Sequence, residues 1–282
     1  MNKLQAILRD IKIQHTVFAL PFAMMSAFLA ARGLPPLNKL GWILVAMFGA
    51  RSAAMAFNRV VDANIDAKNQ RTRDRALPSG FVGKGEYLVF LAAAIGAFVF
   101  ACAMLNPLCL MLSPMALAVV FFYSFTKRFT WLSHFFLGLA LSLAPIGAWA
   151  AVANEIGGAS VMVGLAVVFW LAGLDIIYAC QDYQFDREHG LFSFPQKFGL
   201  ARSLKFSSLF HAIMVLFLLA LPLARPLGAV YLAGVVITAA ILWYEHSIVR
   251  PDDLKRVNAA FFNLNGAISV LLMFFVVIDT IS

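Results

Sequence analysis

Nine apolar stretches follow one another along the 282-residue chain, and they limit the folds that it can adopt. They cover residues 14–32, 40–58, 86–105, 107–124, 132–152, 159–180, 206–223, 227–244 and 259–279. An apolar run of about 20 residues forms a helix that crosses a hydrocarbon layer about 30 Å thick, whereas the strands of a membrane barrel alternate over about ten residues. The chain is 62% hydrophobic, against about 45–50% for a soluble domain. The sequence therefore predicts an all-α polytopic membrane protein, a single-domain bundle of nine transmembrane helices over residues 1–282.

The basic residues are distributed unevenly between the two sides of this bundle. Eighteen of the 22 lysines and arginines lie in the N-terminal segment or in the connections after the second, fourth, sixth and eighth spans. Arg32, Lys39 and Arg225 lie on the opposite side, and Arg51 lies within a span. By the positive-inside rule, the N-terminus and the basic connections face the cytoplasm. The net charge of +8 is therefore a topology signal that requires no nucleic-acid partner, and the sequence indicates no obligate protein partner.

Residues 1–13 are predicted to form an amphipathic helix on the cytoplasmic surface, because Leu4, Ile7, Leu8 and Ile11 share one side of a helix. The first apolar stretch lacks a convincing small-residue cleavage site, so we expect a retained span rather than a signal peptide. The three cysteines and five histidines show no metal-ligand spacing, which argues against a transition-metal site.

Two acidic motifs lie at the inner ends of the second and sixth spans, where long polar connections of about 58–85 and 181–205 begin. The motif side chains are Asn58, Asp62 and Asp66 in NRVVDANID, and Asp175, Tyr178, Asp182 and Asp186 in DIIYACQDYQFD. A spacing of four residues places side chains on one helix face, where aspartates repel each other unless a cation lies between them. This sulfur-free oxygen set suits Mg²⁺, which proteins usually hold with one or two carboxylates and substrate phosphates. Because ionisable residues at membrane depth are costly, we interpret both motifs as functional and not as ordinary charged helix ends.

Basic side chains near the motifs complete the pattern expected for a phosphate ester. They are Lys68, Arg71, Arg73 and Arg75 after the first motif, and Lys127 and Arg128 after Tyr123 in YSFTKR. Together with two Mg²⁺ ions, a few of these cations would neutralise a diphosphate and stabilise the charge that develops when a C–O bond breaks. For Lys127 and Arg128, simple anchoring at the membrane surface is an equally good interpretation of the sequence.

The sequence resembles the UbiA superfamily of intramembrane aromatic prenyltransferases over essentially its full length. The resemblance rests on NRVVDANID with RTRDRALPSG, on YSFTKR and on DIIYACQDYQFD, in the order and spacing of that family. It implies a helical bundle with a central cavity that opens to the lipid. The implied activity is Mg²⁺-dependent transfer of a polyprenyl group from polyprenyl diphosphate to a ring carbon of an aromatic acid, in quinone biosynthesis. The implied location is the bacterial cytoplasmic (inner) membrane, with the active site facing the cytoplasm.

The resemblance further implies a role for each motif side chain. The metal ligands would be Asn58, Asp62 and Asp66 for one Mg²⁺ ion, and Asp182 and Asp186 for the other. The diphosphate would be bound by Lys127, Tyr123, Arg75 and Arg71, and Tyr178 would line the acceptor pocket. The catalytic set would be Asp62, Asp182 and Asp175, of which Asp175 would remove the ring proton or activate the phenol.

Arg51 lies seven residues before Asn58, on the same helix face but deeper in the span. A lone guanidinium at this depth needs an anion, and it pairs best with a carboxylate through two parallel hydrogen bonds. The resemblance implies that Arg51 binds the carboxylate of the acceptor, as in the branch of the family that uses aromatic acids. Pairing with one of the aspartates is the alternative.

The opening segment IKIQHTVFALPFA bears on the identity of the acceptor, because it departs from the R-x-x-K-P pattern of ubiquinone-pathway members. It resembles a bacterial subgroup labelled 4-hydroxybenzoate polyprenyltransferase, of which some members are associated with the futalosine route to menaquinone. The acceptor therefore stays open between 4-hydroxybenzoate and 1,4-dihydroxy-6-naphthoate. His15 could bear on this choice, although a hydrogen-bonded helix histidine is the more common role.

Three other activities fit part of the pattern. A secondary transporter could use the aspartates for cation coupling, but both motifs lie at the same face beside basic connections. CDP-alcohol phosphotransferases also carry paired aspartates, but they need a D-G-x-x-A-R element that this sequence lacks. A haem or other-acceptor prenyltransferase of the same superfamily shares the Asn/Asp motif but has no use for a carboxylate-binding arginine.

Overall fold

Helices account for nearly all regular structure in the computed structural model, which describes residues 2–11, 18–254 and 256–282. The helices are α1 Lys3–Asp10, α2 Leu20–Ala31, α3 Leu37–Asp66, α4 Lys84–Leu105, α5 Pro107–Thr126, α6 Ser133–Ala153, α7 Gly158–Ala179, α8 Tyr183–Glu188, α9 Phe194–Phe198, α10 Leu200–Ala224, α11 Ala229–Ile248, α12 Val257–Ala259 and α13 Asn265–Ile281. A 3-10 turn at Cys180–Asp182 joins α7 to α8, and a π turn at Ala260–Leu264 precedes α13. The described residues contain one isolated β-bridge, between Arg250 and Asp253. The predicted all-α class is confirmed.

Eight stretches of the described residues are long and apolar enough to cross a membrane. They are α3, α4, α5, α6, the run Gly158–Glu188, α10, α11 and the run Ala260–Ile281. The first predicted span, 14–32, corresponds to the 12-residue α2, and residues 12–17, including His15, lie outside the described part of the chain. The polytopic helical architecture is confirmed, whereas the count of nine spans stays a prediction.

The two helices that carry the acidic motifs end differently. The apolar run predicts that the connection begins at about residue 58. Helix α3 instead continues without a break to Asp66, so the connection begins after the first motif. The apolar run marks the part of a helix that lies in lipid, and charged turns can extend the helix beyond it. By contrast, α7 ends at Ala179 and tightens into the 3-10 turn before α8 begins. Asp175 and Asp186 therefore lie on either side of a change in helical pitch, and the geometry expected for one continuous helix holds only for the first motif.

Two close helix crossings depend on glycine. A Cβ atom on Gly138 of α6 would lie 2.5 Å from the carbonyl oxygen of Val168 on α7, and one on Gly49 of α3 would lie 2.8 Å from the backbone nitrogen of Phe98 on α4. Small residues at such crossings let membrane helices gain packing contacts that the lipid cannot replace. All four of these helices contribute walls to the central cavity.

Helix α1 is held on the bundle by buried groups. Ile7 is 4% exposed, whereas Leu4, which the amphipathic pattern places on the same side, is 56% exposed. Arg59 of α3 donates to the carbonyl oxygen of Asp10 at 3.2 Å, and the hydroxyl of Tyr87 on α4 donates to the Asp10 carboxylate. The N-terminal helix is thereby tied to the helix that carries the first motif.

Candidate active site

One cavity of about 520 Å³ brings the two acidic motifs and the YSFTKR segment together. All twelve side chains predicted for the site line it: Arg51, Asn58, Asp62, Asp66, Arg71, Arg75, Tyr123, Lys127, Asp175, Tyr178, Asp182 and Asp186. They come from α3 and the connection after it, from α5 and its C-terminal cap, and from the run of α7, the 3-10 turn and α8. The rest of the lining is mainly apolar side chains of α3 to α6. The cavity thus combines a cluster of charged groups with a long apolar wall.

Asp62 is paired with two cations. It is 2% exposed, Lys127 Nζ lies 2.6 Å from Oδ2, and Arg128 Nη2 lies 3.2 Å from Oδ1. Asn58, one turn earlier, also donates Nδ2 to Oδ2 at 3.0 Å. A buried carboxylate without partners would be costly, and the two cations offset that cost. Lys127 and Arg128 therefore join the end of α5 to the site, which goes beyond anchoring at a membrane surface.

The connection after α3 folds back over the site and supplies two arginines. Thr72 Oγ1 donates to the carbonyl oxygen of Asp66 at 2.9 Å, and Arg75 Nη1 lies 2.6 Å from Asp66 Oδ2. Arg71 reaches the second motif, where Nε and Nη2 donate to the two carboxylate oxygens of Asp182 at 3.2 and 2.6 Å. Burial acts to lower the pKa of Arg71, but Asp182, Tyr178 and Asp66 together outweigh burial and raise that pKa above its usual value. Charge-assisted hydrogen bonds thus link the two motifs.

Tyr178 and Asp186 complete the second motif. The Tyr178 hydroxyl accepts from Arg71 Nη1 at 3.2 Å, and its ring packs on Phe261 of the π turn with centroids 4.5 Å apart. Asp186 Oδ2 accepts from Ser193 Oγ at 2.8 Å. A guanidinium and two aromatic rings therefore lie side by side on the cavity wall, next to the carboxylates.

Arg51 lines the cavity from α3. Within the described residues it forms no ion pair, and its buried Nε has no hydrogen-bond partner. The alternative that Arg51 pairs with an aspartate is therefore not found in the described part of the chain. Because a buried cation without an anion is unfavourable, the arrangement favours an anionic ligand beside Arg51.

The carboxylates of the site do not form a closed protein cage for a metal ion. Among the described residues, no group of three or more His, Cys, Asp or Glu side chains lies close enough to hold one. Mg²⁺ commonly binds through one or two carboxylates, substrate phosphates and water. Asp62 and Asp66 of the first motif and Asp182 and Asp186 of the second all line the cavity, which fits that mode because substrate phosphate and water reach a metal ion through the cavity.

His134 is a residue of the site that the sequence pattern does not reveal. It lies at the start of α6 and is 3% exposed, and its Nδ1 lies 2.7 Å from Asp175 Oδ2. The two residues are 41 positions apart, and a single histidine in an apolar helix carries no spacing signal. Ser193, the partner of Asp186, lies in an irregular connection and gives no signal either.

Comparison with known proteins decides the family. The model of the UbiA prenyltransferase family matches residues 19–267. The chain belongs to this family. A 4-hydroxybenzoate octaprenyltransferase from Vibrio atlanticus is 32% identical to this UbiA chain over 243 residues, which are 86% of this chain and 85% of that protein. One from Marinobacter nauticus is 32% identical over 241 residues, or 85% of this chain and 82% of the relative.

Solved structures share the UbiA fold. The apo structure of a UbiA homologue from Aeropyrum pernix K1 superposes with a TM-score of 0.85 at 33% identity, covering 95% of this chain and 98% of the other. A homologue from Archaeoglobus fulgidus bound to DMAPP and Mg²⁺ gives 0.73 at 19% identity, covering 98% and 99%, and so supports the fold alone. Membership in the UbiA family confirms the prediction of an aromatic prenyltransferase enzyme of the membrane.

Proposed function

We propose that this UbiA-family enzyme transfers a polyprenyl group from polyprenyl diphosphate to a ring carbon of 4-hydroxybenzoate or 1,4-dihydroxy-6-naphthoate, in ubiquinone or menaquinone biosynthesis. The observation that carries the proposal is that both acidic motifs line one cavity with Arg51, which forms no ion pair within the described residues. The names of the bacterial relatives support an aromatic-acid acceptor. The enzyme would act in the bacterial inner membrane, with its N-terminus and active site toward the cytoplasm.

Mg²⁺ is the proposed cofactor, in keeping with the Archaeoglobus fulgidus homologue bound to DMAPP and Mg²⁺. The side chains that would hold it are Asn58, Asp62 and Asp66 in one cluster, and Asp182 and Asp186 in the other. When bound, Mg²⁺ neutralises diphosphate charge and stabilises the leaving group. The negative charge of the carboxylates would attract and hold the Mg²⁺ ions.

The proposed diphosphate ligands already lie beside the proposed metal ligands. Lys127, Arg75 and Arg71 each have a nitrogen 2.6 Å from an oxygen of Asp62, Asp66 or Asp182, and Tyr123 lines the same cavity. An entering diphosphate would be a second anion in contact with these three cations, in addition to the aspartates. The same groups then stabilise the charge on the departing diphosphate.

Arg51 and the apolar wall orient the two substrates. Arg51 would bind the carboxylate of the acceptor through two parallel hydrogen bonds, and Tyr178 would pack against its ring. The apolar side chains of α3 to α6 would surround the prenyl chain and exclude water from the allylic carbocation. The C1–O bond breaks first, with its electron pair on the diphosphate, and the ring carbon then attacks C1 of the allylic carbocation to form the C–C bond. Asp175 then accepts the ring proton.

The decisive experiment uses the purified full chain in lipid nanodiscs with Mg²⁺, labelled polyprenyl diphosphate and each acid in turn. We expect a prenylated acid with one of the two acceptors, detected by mass spectrometry, and none after chelation of Mg²⁺. The haem-acceptor alternative is tested in the same assay with haem as the acceptor. Absence of product with both aromatic acids would refute the proposal.

A further inference from the structure

Phe194 is a buried, tightly packed residue beside the active site. It is 3% exposed and packs against Trp131 and Phe198, with ring centroids 5.0 and 5.2 Å apart. It is also the first residue of α9, which Ser193 caps. The backbone N–H at this position of a helix has no partner within the helix. The amide of Phe194 is therefore a buried donor whose acceptor lies outside the helix.

That acceptor is His134, and the contact fixes the state of its ring. The Phe194 N–H donates to His134 Nε2 at 3.2 Å. A ring nitrogen that accepts a hydrogen bond carries no proton, so the imidazole is neutral and its proton lies on Nδ1. Nδ1–H then donates to Asp175 Oδ2 at 2.7 Å, which makes this oxygen the acceptor.

We propose that His134 is a positioning residue for Asp175. The hydrogen bond to Oδ2 fixes the rotation of the carboxylate and leaves Oδ1 for the cavity, where no described residue hydrogen-bonds to it. His134 acts through Asp175, and Phe194 in turn holds His134. This inference rests on the proposed prenyl transfer, and it names His134 as the residue that orients the base of that reaction.

The chemistry explains why such support matters. After the ring carbon has bonded to C1 of the prenyl group, it still carries a hydrogen, and the ring is cationic. The C–H electron pair returns to the ring and the proton passes to Oδ1 of Asp175. A neutral imidazole in one tautomer orients the carboxylate and adds no positive charge that would weaken it as a base. An acid–base group oriented by a third, fixed group recurs in enzyme active sites.

The first test asks whether His134 acts through Asp175. Prenyl transfer is measured for His134→Ala, Asp175→Asn and the double variant, with Mg²⁺ saturating. A general base contributes about 10²–10⁴-fold, so we expect Asp175→Asn to lower kcat at least about 100-fold. Loss of an orienting partner typically costs about 10–100-fold, and we expect that fall in kcat for His134→Ala with little change in KM for polyprenyl diphosphate.

In the Asp175→Asn background, removal of His134 should cost less than about threefold, because residues that act as a unit are not additive. Losses that multiply would overturn the proposal.

A second pair of variants separates donation from packing. His134→Asn retains an N–H donor near the position of Nδ1, whereas His134→Phe fills the space without a donor. We expect kcat of His134→Asn to be at least about tenfold higher than kcat of His134→Ala, the scale of one orienting contact. The kcat of His134→Phe should equal that of His134→Ala. Equal recovery by both variants would show that the role is packing, and it would refute the proposal.

A matched control removes another buried imidazole. His211 of α10 is 1% exposed and contacts the carbonyl oxygen of Trp170 and the ring of His246, away from the cavity lining. His211→Ala should leave kcat unchanged in protein that stays folded, and a fall equal to that of His134→Ala would refute a specific role.

Failure of the proposed function has a different signature, because the wild type then transfers no prenyl group at all. If the wild type and Asp175→Asn are equally active, prenyl transfer stands and the positioning proposal fails.

Discussion

Arg71 and Asp182 form a two-point ion pair across 111 positions of sequence. Nη2 lies 2.6 Å from Oδ2, and Nε lies 3.2 Å from Oδ1. Arg71 belongs to the connection after the first motif and Asp182 to the second motif, so this pair holds the two halves of the site together. The contact uses the planar fork of the guanidinium, which a lysine cannot reproduce.

Arg71→Lys keeps the charge and removes the fork. We expect KM for polyprenyl diphosphate to rise about tenfold or more, because the geometry that matches a carboxylate also matches a phosphate. KM for the aromatic acid should stay nearly constant. Arg73→Lys is the control, since the Arg73 side chain is 62% exposed and its contact to Asp74 is 4.0 Å long. Steady-state kinetics on both substrates give the result, and wild-type behaviour of Arg71→Lys would show that charge alone is required.

Asp62→Asn tests the first motif. This change removes the carboxylate that pairs with Lys127 and Arg128, and it leaves their charges without a partner. We expect kcat to fall about 100-fold or more, the scale of one electrostatic group in an active site, and the Mg²⁺ concentration for half-maximal rate to rise. Asp74→Asn changes a carboxylate that is 91% exposed, and it should alter neither quantity. An unchanged Mg²⁺ requirement in Asp62→Asn would remove Asp62 from the metal ligands.

Arg51→Ala tests the acceptor clamp. A hydrogen bond to a charged group contributes about 1.5–3 kcal/mol, so KM for the aromatic acid should rise about tenfold to 100-fold. KM for the diphosphate should change little. The wild type should also prefer 4-hydroxybenzoate to 4-hydroxybenzamide, which lacks the carboxylate, and Arg51→Ala should lose that preference. Equal effects on both substrates would contradict the clamp.

Spacing and charge in the sequence predict which side chains meet, because helices at fixed depth in a membrane bring their polar ends together. The twelve predicted residues therefore share one cavity although Arg51 and Asp186 lie far apart in the chain. Sequence does not predict the break at Cys180 or the His134–Asp175 contact. Both depend on how α6, α7 and α9 pack, and tertiary packing leaves no local pattern in an apolar segment.

The Gly138 crossing links this packing to the chemistry. Gly138 lies one turn after His134 on α6, and Val168 lies two turns before Asp175 on α7. A Cβ on Gly138 would meet the Val168 carbonyl at 2.5 Å, so Gly138→Ala must push the helices apart and lengthen the His134–Asp175 contact. Overpacking of this kind costs about 1–3 kcal/mol.

We therefore expect Gly138→Ala to lower Tm in detergent and to reduce kcat. Gly96→Ala on α4, where a Cβ would meet nothing within 4 Å, should keep or raise Tm, because alanine is the better helix former by about 1 kcal/mol. Circular dichroism melts and the transfer assay on both variants provide the measurement. If Gly138→Ala melts as Gly96→Ala does, α6 and α7 do not approach as closely as this crossing requires.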